Sequence, residues 1–562
     1  MSLKKISIGG IAILLLCLLL FVNTPPLVKR SPHDVNVIVL TADSLRPDHL
    51  GCYGYERATS PNIDGLAENG QLFRHVIAQS AWTVPGVMSI LTSLQPPVHQ
   101  VERRGDLLDP SIVTLFDCFQ EAKYVTPNIC FLLTIPEFST IRVGPPEEKY
   151  FDERNGEELF QWLDENHGTK FFIWYLYRGV HLPYTPTNNS LLAFRKNVLA
   201  EEQLSKGVRA VLSDAAVVPV GTVEFEQGDR DILTDLYDAE VRDFDLFVGR
   251  LLTRLRRYGL LDKTLLVITA DHGEELLDHG FVGHASTMHS ATLYDEIIKI
   301  PLIMTLPGYL PAGGEIREQV QQIDIMPSIL DVVGLPLPTG VQGRSLASLL
   351  FHSGRQRGSS IPAFAETVYG GYQATEDMAT TRYRCVRTDG WKLIEQERPA
   401  GKTYQLYDLL LDPKEFENVY DKNIRVATAH KTLLEEWQRE NTVSRRVVMA
   451  ATTGVSPQGA QKDCPQFLFP YDGAVLAFEE RGGMVRASWT GTPESTYVIE
   501  YEIGTGVHNL TGAFVAFGNR RDFGPYSEEI WKSLAIRNPW RVRVSPDVHP
   551  RCWSEWIEFT FQ

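Results

Sequence analysis

The spacing of apolar positions changes character several times along this chain. Asp34 to Leu40 (DVNVIVL) and Thr264 to Thr269 (TLLVIT) are dense in β-branched and apolar residues without polar alternation. Such runs predict strands buried on both faces, as in parallel sheets. Phe171 to Leu176 is a third apolar run of this kind. From Asp229 to Tyr258 the period becomes helical. Leu233, Leu236, Tyr237, Val241, Phe244, Phe247, Val248, Leu251, Leu252 and Leu255 fall on one stripe, and Gly259 supplies the stop. This predicts one long amphipathic helix that crosses over, right-handed, into the Thr264 strand. Val87 to Leu91 also reads as helix. Pro85 stands near its first position, and Thr83 at or just before its N-cap. Asn188 to Asp229 carries no such pattern and reads as an insertion or a lid. Arg445 to Pro465 is rich in small and polar residues, as linkers are. Beyond it the period shortens to strands at Met484 to Trp489, Tyr497 to Tyr501, Trp540 to Val544 and Trp556 to Phe561, the pattern of a β-sandwich.

The two leading strands end alike, in Thr41-Ala42-Asp43 and Thr269-Ala270-Asp271, and His272 follows the second. Ligands of open α/β sheets bind beyond the carboxyl ends of the strands. If both strands lie in one parallel sheet, Asp43 and Asp271 meet there, and two carboxylates that close repel unless a cation sits between them. Each Asp alone is an ordinary strand end; the pair beside an imidazole predicts a metal site. Thr83 is open to two readings. It is a helix cap, or, at a helix N-terminus that favours anions, a metal-bound and activated nucleophile. His279 and His284 follow in a turn-rich loop, and His181 follows the Phe171 strand.

Composition narrows the classes. A chain of 562 residues needs more than one core. Its net charge of −16 argues against a nucleic-acid surface, which needs clustered Lys and Arg. The seven cysteines are dispersed, with no CxxC pair, so no zinc ribbon or redox couple is expected. Cys464 and Cys552 flank the last domain and would pair only in an oxidising compartment. Lys4 and Lys5 precede an apolar run from Ile6 to Val22 that lacks a small-x-small cleavage site. It reads as an uncleaved membrane anchor or a cleaved export signal, and either places the large domain outside the cytoplasm.

Several segments together are similar to the sulfatase-like branch of the alkaline phosphatase superfamily. They are ADSLRPDHLGCYGY, SPNIDGLAENG, WTVPGVMSILTS, TADHGEE, GHASTMHSATLYDEIIKIPLIM and IDIMPSILDVVGLP, with RTDGWKLIEQ and YQLYDLLLDPKEFENVY resembling its C-terminal subdomain. The resemblance runs from about Val35 to Gln438. It implies an α/β/α sandwich on a mixed sheet and metal-dependent hydrolysis or transfer of sulfate or phosphate esters. By position, Asp43, Asp271 and His272 match metal ligands and Thr83 matches the nucleophile, itself a ligand. His181 matches a histidine on the ester group, and His284 matches the Lys or His that protonates the leaving group.

The departures carry information. Sulfatases proper place Cys or Ser within C/S-x-P-S-R and convert it to formylglycine. Here the segment is Thr83-Val84-Pro85-Gly86-Val87, and Ser44 stands where a second Asp is common. Formylglycine is therefore not expected. The reading favours phosphodiester or phosphonate-type esters attacked by Thr83, with Zn or Mn rather than Ca or Mg because imidazole is in the set. A sulfate-ester hydrolase working without formylglycine, and a non-catalytic binding or adhesion protein, are the alternatives. The expected organisation is an N-terminal anchor or signal (1–33), the catalytic domain (34–350), its C-terminal subdomain (351–444), a linker (445–464) and a fibronectin type III-like sandwich (465–562). That last domain is a candidate for glycan or protein contact.

Overall fold

The computed structural model describes residues 35–143, 155–197, 204–213, 224–285, 287, 291–351, 361–453 and separate stretches between 467 and 562. The Ile6 to Val22 run, Cys464 and Cys552 lie outside the described residues. Among the described residues no helix is long and apolar enough to cross a membrane.

The first, six-stranded sheet is built from β1 (Asn36–Ala42), β2 (Gln71–Ile77), β3 (Phe172–Tyr177), β4 (Thr264–Ala270), β5 (Lys299–Thr305) and β6 (Gly314–Gln321). Their order across the sheet is β3-β1-β4-β5-β2-β6. β1 pairs parallel with β3 and β4, β6 pairs parallel with β2, and β5 alone runs against its neighbours. Every residue of β1, β3 and β4 is buried, which is why their sequences show no alternation. The helices form two packing groups. Pro61–Glu68 and Glu157–Asn166 pack on the long helix Asp229–Arg257, while Thr83–Thr92 packs with Pro96–His99 and Ile325–Val332. We call Thr83–Thr92 α1 and Asp229–Arg257 α2. The stripe expected for α2 is its buried face.

A second, four-stranded antiparallel sheet follows, with β7 (Ala363–Val368), β8 (Arg382–Arg387), β9 (Trp391–Arg398) and β10 (Gly401–Asp408) in the order β10-β9-β8-β7. A core of Val386, Leu393, Leu406, Ala427, Leu434 and Trp437 joins this sheet to a third long helix, α3 (Ile424–Thr453). Residues 445–453, the first part of the segment read as a linker, continue α3. Small residues such as Ala450 and Ala451 are good helix formers, and composition alone does not separate such a tail from a loop. The chain ends in a β-rich region of a three-stranded and a five-stranded sheet. Its strands include Val485–Trp489, Thr496–Ile503, Trp540–Pro546 and Ile557–Phe561. The helix Glu528–Ile536, between strands, was not foreseen.

Candidate active site

The parallel pairing of β1 with β4 sets Ala42 opposite Ala270, so the next residues, Asp43 and Asp271, emerge side by side at the carboxyl edge. Donor atoms of Asp43, Asp271 and His272 all lie within 4.8 Å of one another, and all three residues are buried. His272 Nε2 stands 3.6 Å from Asp43 Oδ1 and 3.5 Å from Asp271 Oδ2. Its Nδ1 lies 2.8 Å from the Gly273 carbonyl, which can only accept; the ring hydrogen is therefore on Nδ1 and the Nε2 lone pair faces the carboxylates.

The two carboxylates are held in an uncomfortable state. Burial, and then the neighbouring Asp271 charge, push Asp43 up to about 6. Burial pushes Asp271 up to about 7 against the amides that donate to it. Asp271 Oδ1 accepts from the Ser44 and His272 amides, but its Oδ2 is buried with no partner. An orphaned carboxylate oxygen costs free energy unless something outside the protein satisfies it. Two carboxylates and an imidazole lone pair converging on one point fit a divalent cation.

Thr83 is the first residue of α1, Trp82 holds the N-cap position, and no side chain caps that end. The capping reading therefore fails on geometry. The Thr83 hydroxyl instead lies 3.3 Å from His272 Nε2 and donates to Asp43 Oδ1 at 3.5 Å, inside the ligand cluster. Gly86 permits this. A Cβ there would stand 2.7 Å from the Asp271 carbonyl oxygen, so only glycine lets α1 reach the end of β4.

The histidines divide. His284 is fully buried, its ring centroid 4.3 Å from that of His272 and 4.8 Å from that of His181. Its Nδ1 is 2.8 Å from Glu274 Oε1, and its Nε2 is buried without a partner. Burial pushes Glu274 up and His284 well down, so each is drawn toward its neutral form. A protonated Glu274 donates to Nδ1, which leaves the imidazole hydrogen on Nε2. His279 is turned away: Nδ1 meets Glu275 at 3.2 Å, Nε2 donates to the Lys414 carbonyl at 2.9 Å, and the ring stacks on Tyr294.

Several residues at the site were not singled out from the sequence. Glu274 is one, although it stands three residues beyond Asp271 in ADHGEE. Tyr237 of α2, read only as core, donates from its hydroxyl to the Ser44 carbonyl and accepts from the Arg46 amide, clamping the loop after Asp43. Ser44, in the left-handed region at φ 64, donates from Oγ to Asp43 Oδ1 and from its amide to Asp271. Gln322 ties the Ala270 and Asp271 carbonyls. Arg178, exposed at the end of β3, places its charge on Asp43, His181 and His284.

Residues 35–335 match the family model described as Sulfatase, and residues 283–442 match that of the N-sulphoglucosamine sulphohydrolase C-terminal region. The chain is 23% identical over 447 residues to arylsulfatase K of Bos taurus, covering 70% of this chain and 80% of that one. It is 29% identical over 499 residues to N-acetylglucosamine-6-O-sulfatase of Bacteroides thetaiotaomicron, covering 73% and 88%. Among solved structures, a protein in complex with its substrate D-glucosamine-2-N,6-O-disulfate aligns with a TM-score of 0.59 at 19% identity, covering 73% of this chain and 98% of that one. The phosphonate monoester hydrolase of Agrobacterium radiobacter aligns with a TM-score of 0.58 at 20% identity, covering 72% and 96%. Both structures share the fold. With its family model spanning more than half of the chain, this protein belongs to the sulfatase family of hydrolases.

Proposed function

We propose that this chain is a metal-dependent hydrolase or transferase of phosphodiester or phosphonate-type esters that uses Thr83 as its nucleophile. The observation that carries the reading is the Thr83 hydroxyl, 3.3 Å from His272 Nε2 and 3.5 Å from Asp43 Oδ1 at a helix start it does not cap. Asp43, Asp271, His272 and Thr83 would hold a divalent cation, Zn or Mn being favoured by the imidazole. Bound there, it would supply Lewis-acid charge and a lowered pKa for the hydroxyl. The Thr83 hydroxyl gives its hydrogen toward Asp43 Oδ1 and its oxygen attacks phosphorus in line. The new Oγ1–P bond forms as the bond to the leaving oxygen breaks. His284 Nε2 gives its hydrogen to that oxygen, and His181 contacts the non-bridging oxygens. The α1 N-terminus adds favourable dipoles for the negative group. Water or an acceptor alcohol then attacks phosphorus and frees Thr83.

A threonine carries a β-methyl group and is not the residue that becomes formylglycine, which supports phosphorus over sulfur. The sulfatase names of its relatives support a second reading, sulfate-ester hydrolysis without formylglycine. The N-terminal run supports a membrane-anchored or exported protein. The strand pattern of the last region supports a fibronectin type III-like module that contacts glycan or protein. Turnover of aryl phosphodiesters, phosphonate monoesters and aryl sulfates, with metal content measured on the same sample, tests the main reading. Turnover of the sulfates alone would replace it with the second.

A further inference from the structure

In the sequence the nucleophile segment lacks a cation, since Val87 stands at the arginine position of C/S-x-P-S-R, and in the structure Val87 is fully buried among apolar side chains. A transferred group with anionic oxygens still needs a positive partner on the side away from the buried ligands. The register of the sheet provides one. Ala42 pairs with Ala270 on β4 and with Tyr177 on β3, and the Asp43 amide donates to the Tyr177 carbonyl at 2.9 Å. The next residues form a row along the carboxyl edge, Arg178, Asp43 and Asp271. Asp43 and Asp271 are buried, whereas Arg178 at the end of the row is exposed, and its charge acts on Asp43, His181 and His284. The turn that follows closes with the His181 amide on the Arg178 carbonyl at 3.3 Å, and it returns His181 to within 4.8 Å of His284, ring to ring. Arg178 and His181 thus belong to one turn at this edge.

We infer that Arg178 binds the non-bridging oxygens of the transferred phosphoryl or sulfuryl group, replacing from a strand end the cation that α1 lacks. A planar guanidinium suits two such oxygens at once, which an ammonium does not. The inference rests on the site being an anionic-ester transferase. That reading is tested by turnover of the ester panel, and this one by anion affinity, so the two fail separately. The experiment is calorimetric titration of inorganic phosphate and of inorganic sulfate into the metal-loaded full chain, for wild type, Arg178→Ala and Arg178→Lys, with metal content measured in each. Arg178→Ala is expected to bind the preferred anion at least ~10-fold more weakly at unchanged metal content, and Arg178→Lys to recover part of the loss. Unchanged affinity in Arg178→Ala would overturn the inference. So would affinity lost together with the metal, which would make Arg178 a support of the ligand set, or a wild type that binds neither anion.

Discussion

Thr83 occupies the start of a helix without capping it, and that separation of roles gives a sharp test. Under the proposed mechanism, Thr83→Ala removes a ligand and the attacking atom together. A loss of at least ~10³-fold in kcat is expected, about 4 kcal/mol of barrier, with Thr83→Ser retaining far more activity. Loss of a cap alone would cost about 1 kcal/mol of stability and leave turnover nearly intact, so near-normal turnover by Thr83→Ala would sink the mechanism. Asp271 makes a second test. Its unpartnered Oδ2 lies in a buried cluster with Asp43, so Asp271→Asn removes a buried charge that only a cation would balance. The variant is expected to match or exceed the metal-free wild type in Tm, and to lose the rise in Tm that added Zn or Mn gives the wild type. A metal-dependent rise that survives in Asp271→Asn would remove Asp271 from the ligand set. Glu274 touches His284, and under the proposed mechanism it acts through that ring rather than on substrate. Glu274→Ala should lower kcat by ~10–100-fold with KM little changed, and an equal loss of thermal stability and KM would mark it as mere packing.

At the scale of elements, the strand ends were legible because a strand buried on both faces writes a continuous apolar run, and the first polar residue after it marks the edge. Thr-Ala-Asp ends both β1 and β4, and their register brings the two Asp residues together. α2 was equally legible as a stripe. What the stripe hid is that Tyr237 is both core and clamp, since a phenol satisfies apolar spacing while its hydroxyl reaches the loop after Asp43. Glu274, Gln322 and Arg178 were missed for a related reason: their roles depend on residues 10 to 135 positions away, and nothing in their own neighbourhood signals it. The run of α3 through residues 445–453 was not legible, because small residues suit a helix tail and a loop alike. Gly86 belongs to this scale too. Helix propensity alone says that Gly86→Ala should stabilise α1 by about 1 kcal/mol. The Asp271 carbonyl, 2.7 Å from the added Cβ, says the opposite, since forced overpacking costs about 1–3 kcal/mol. Urea denaturation of Gly86→Ala should show net destabilisation, accompanied by a fall in kcat as Thr83 is pushed off the cluster. A stabilised and fully active variant would show that α1 does not depend on close approach to β4.

The whole molecule is assembled from separate cores. One core runs through the catalytic domain and reaches the second sheet at Cys385, Ile394 and Tyr407, and the core beneath α3 shares that sheet. The third, around Trp489, Trp531, Val544 and Phe561, contains, among the described residues, none before Ala474. Cooperative unfolding follows cores, so the β-rich region is expected to melt as its own unit. Scanning calorimetry of the full chain should therefore resolve more than one transition, and deletion of 465–562 should remove one of them while leaving the other in place. The site residues, Asp43 through His284, all belong to the first unit. The shortened chain, ending after α3, should accordingly keep its turnover of a small aryl ester. The cut lies beyond the end of α3 because α3 packs on the second sheet through Ala427, Leu434 and Trp437, and cutting within that stretch would expose its core. If the shortened chain retains its helical and sheet signal by circular dichroism, binds metal as the full chain does, and still turns nothing over, then the last region contributes to the active site itself and the division by cores is the wrong guide to function.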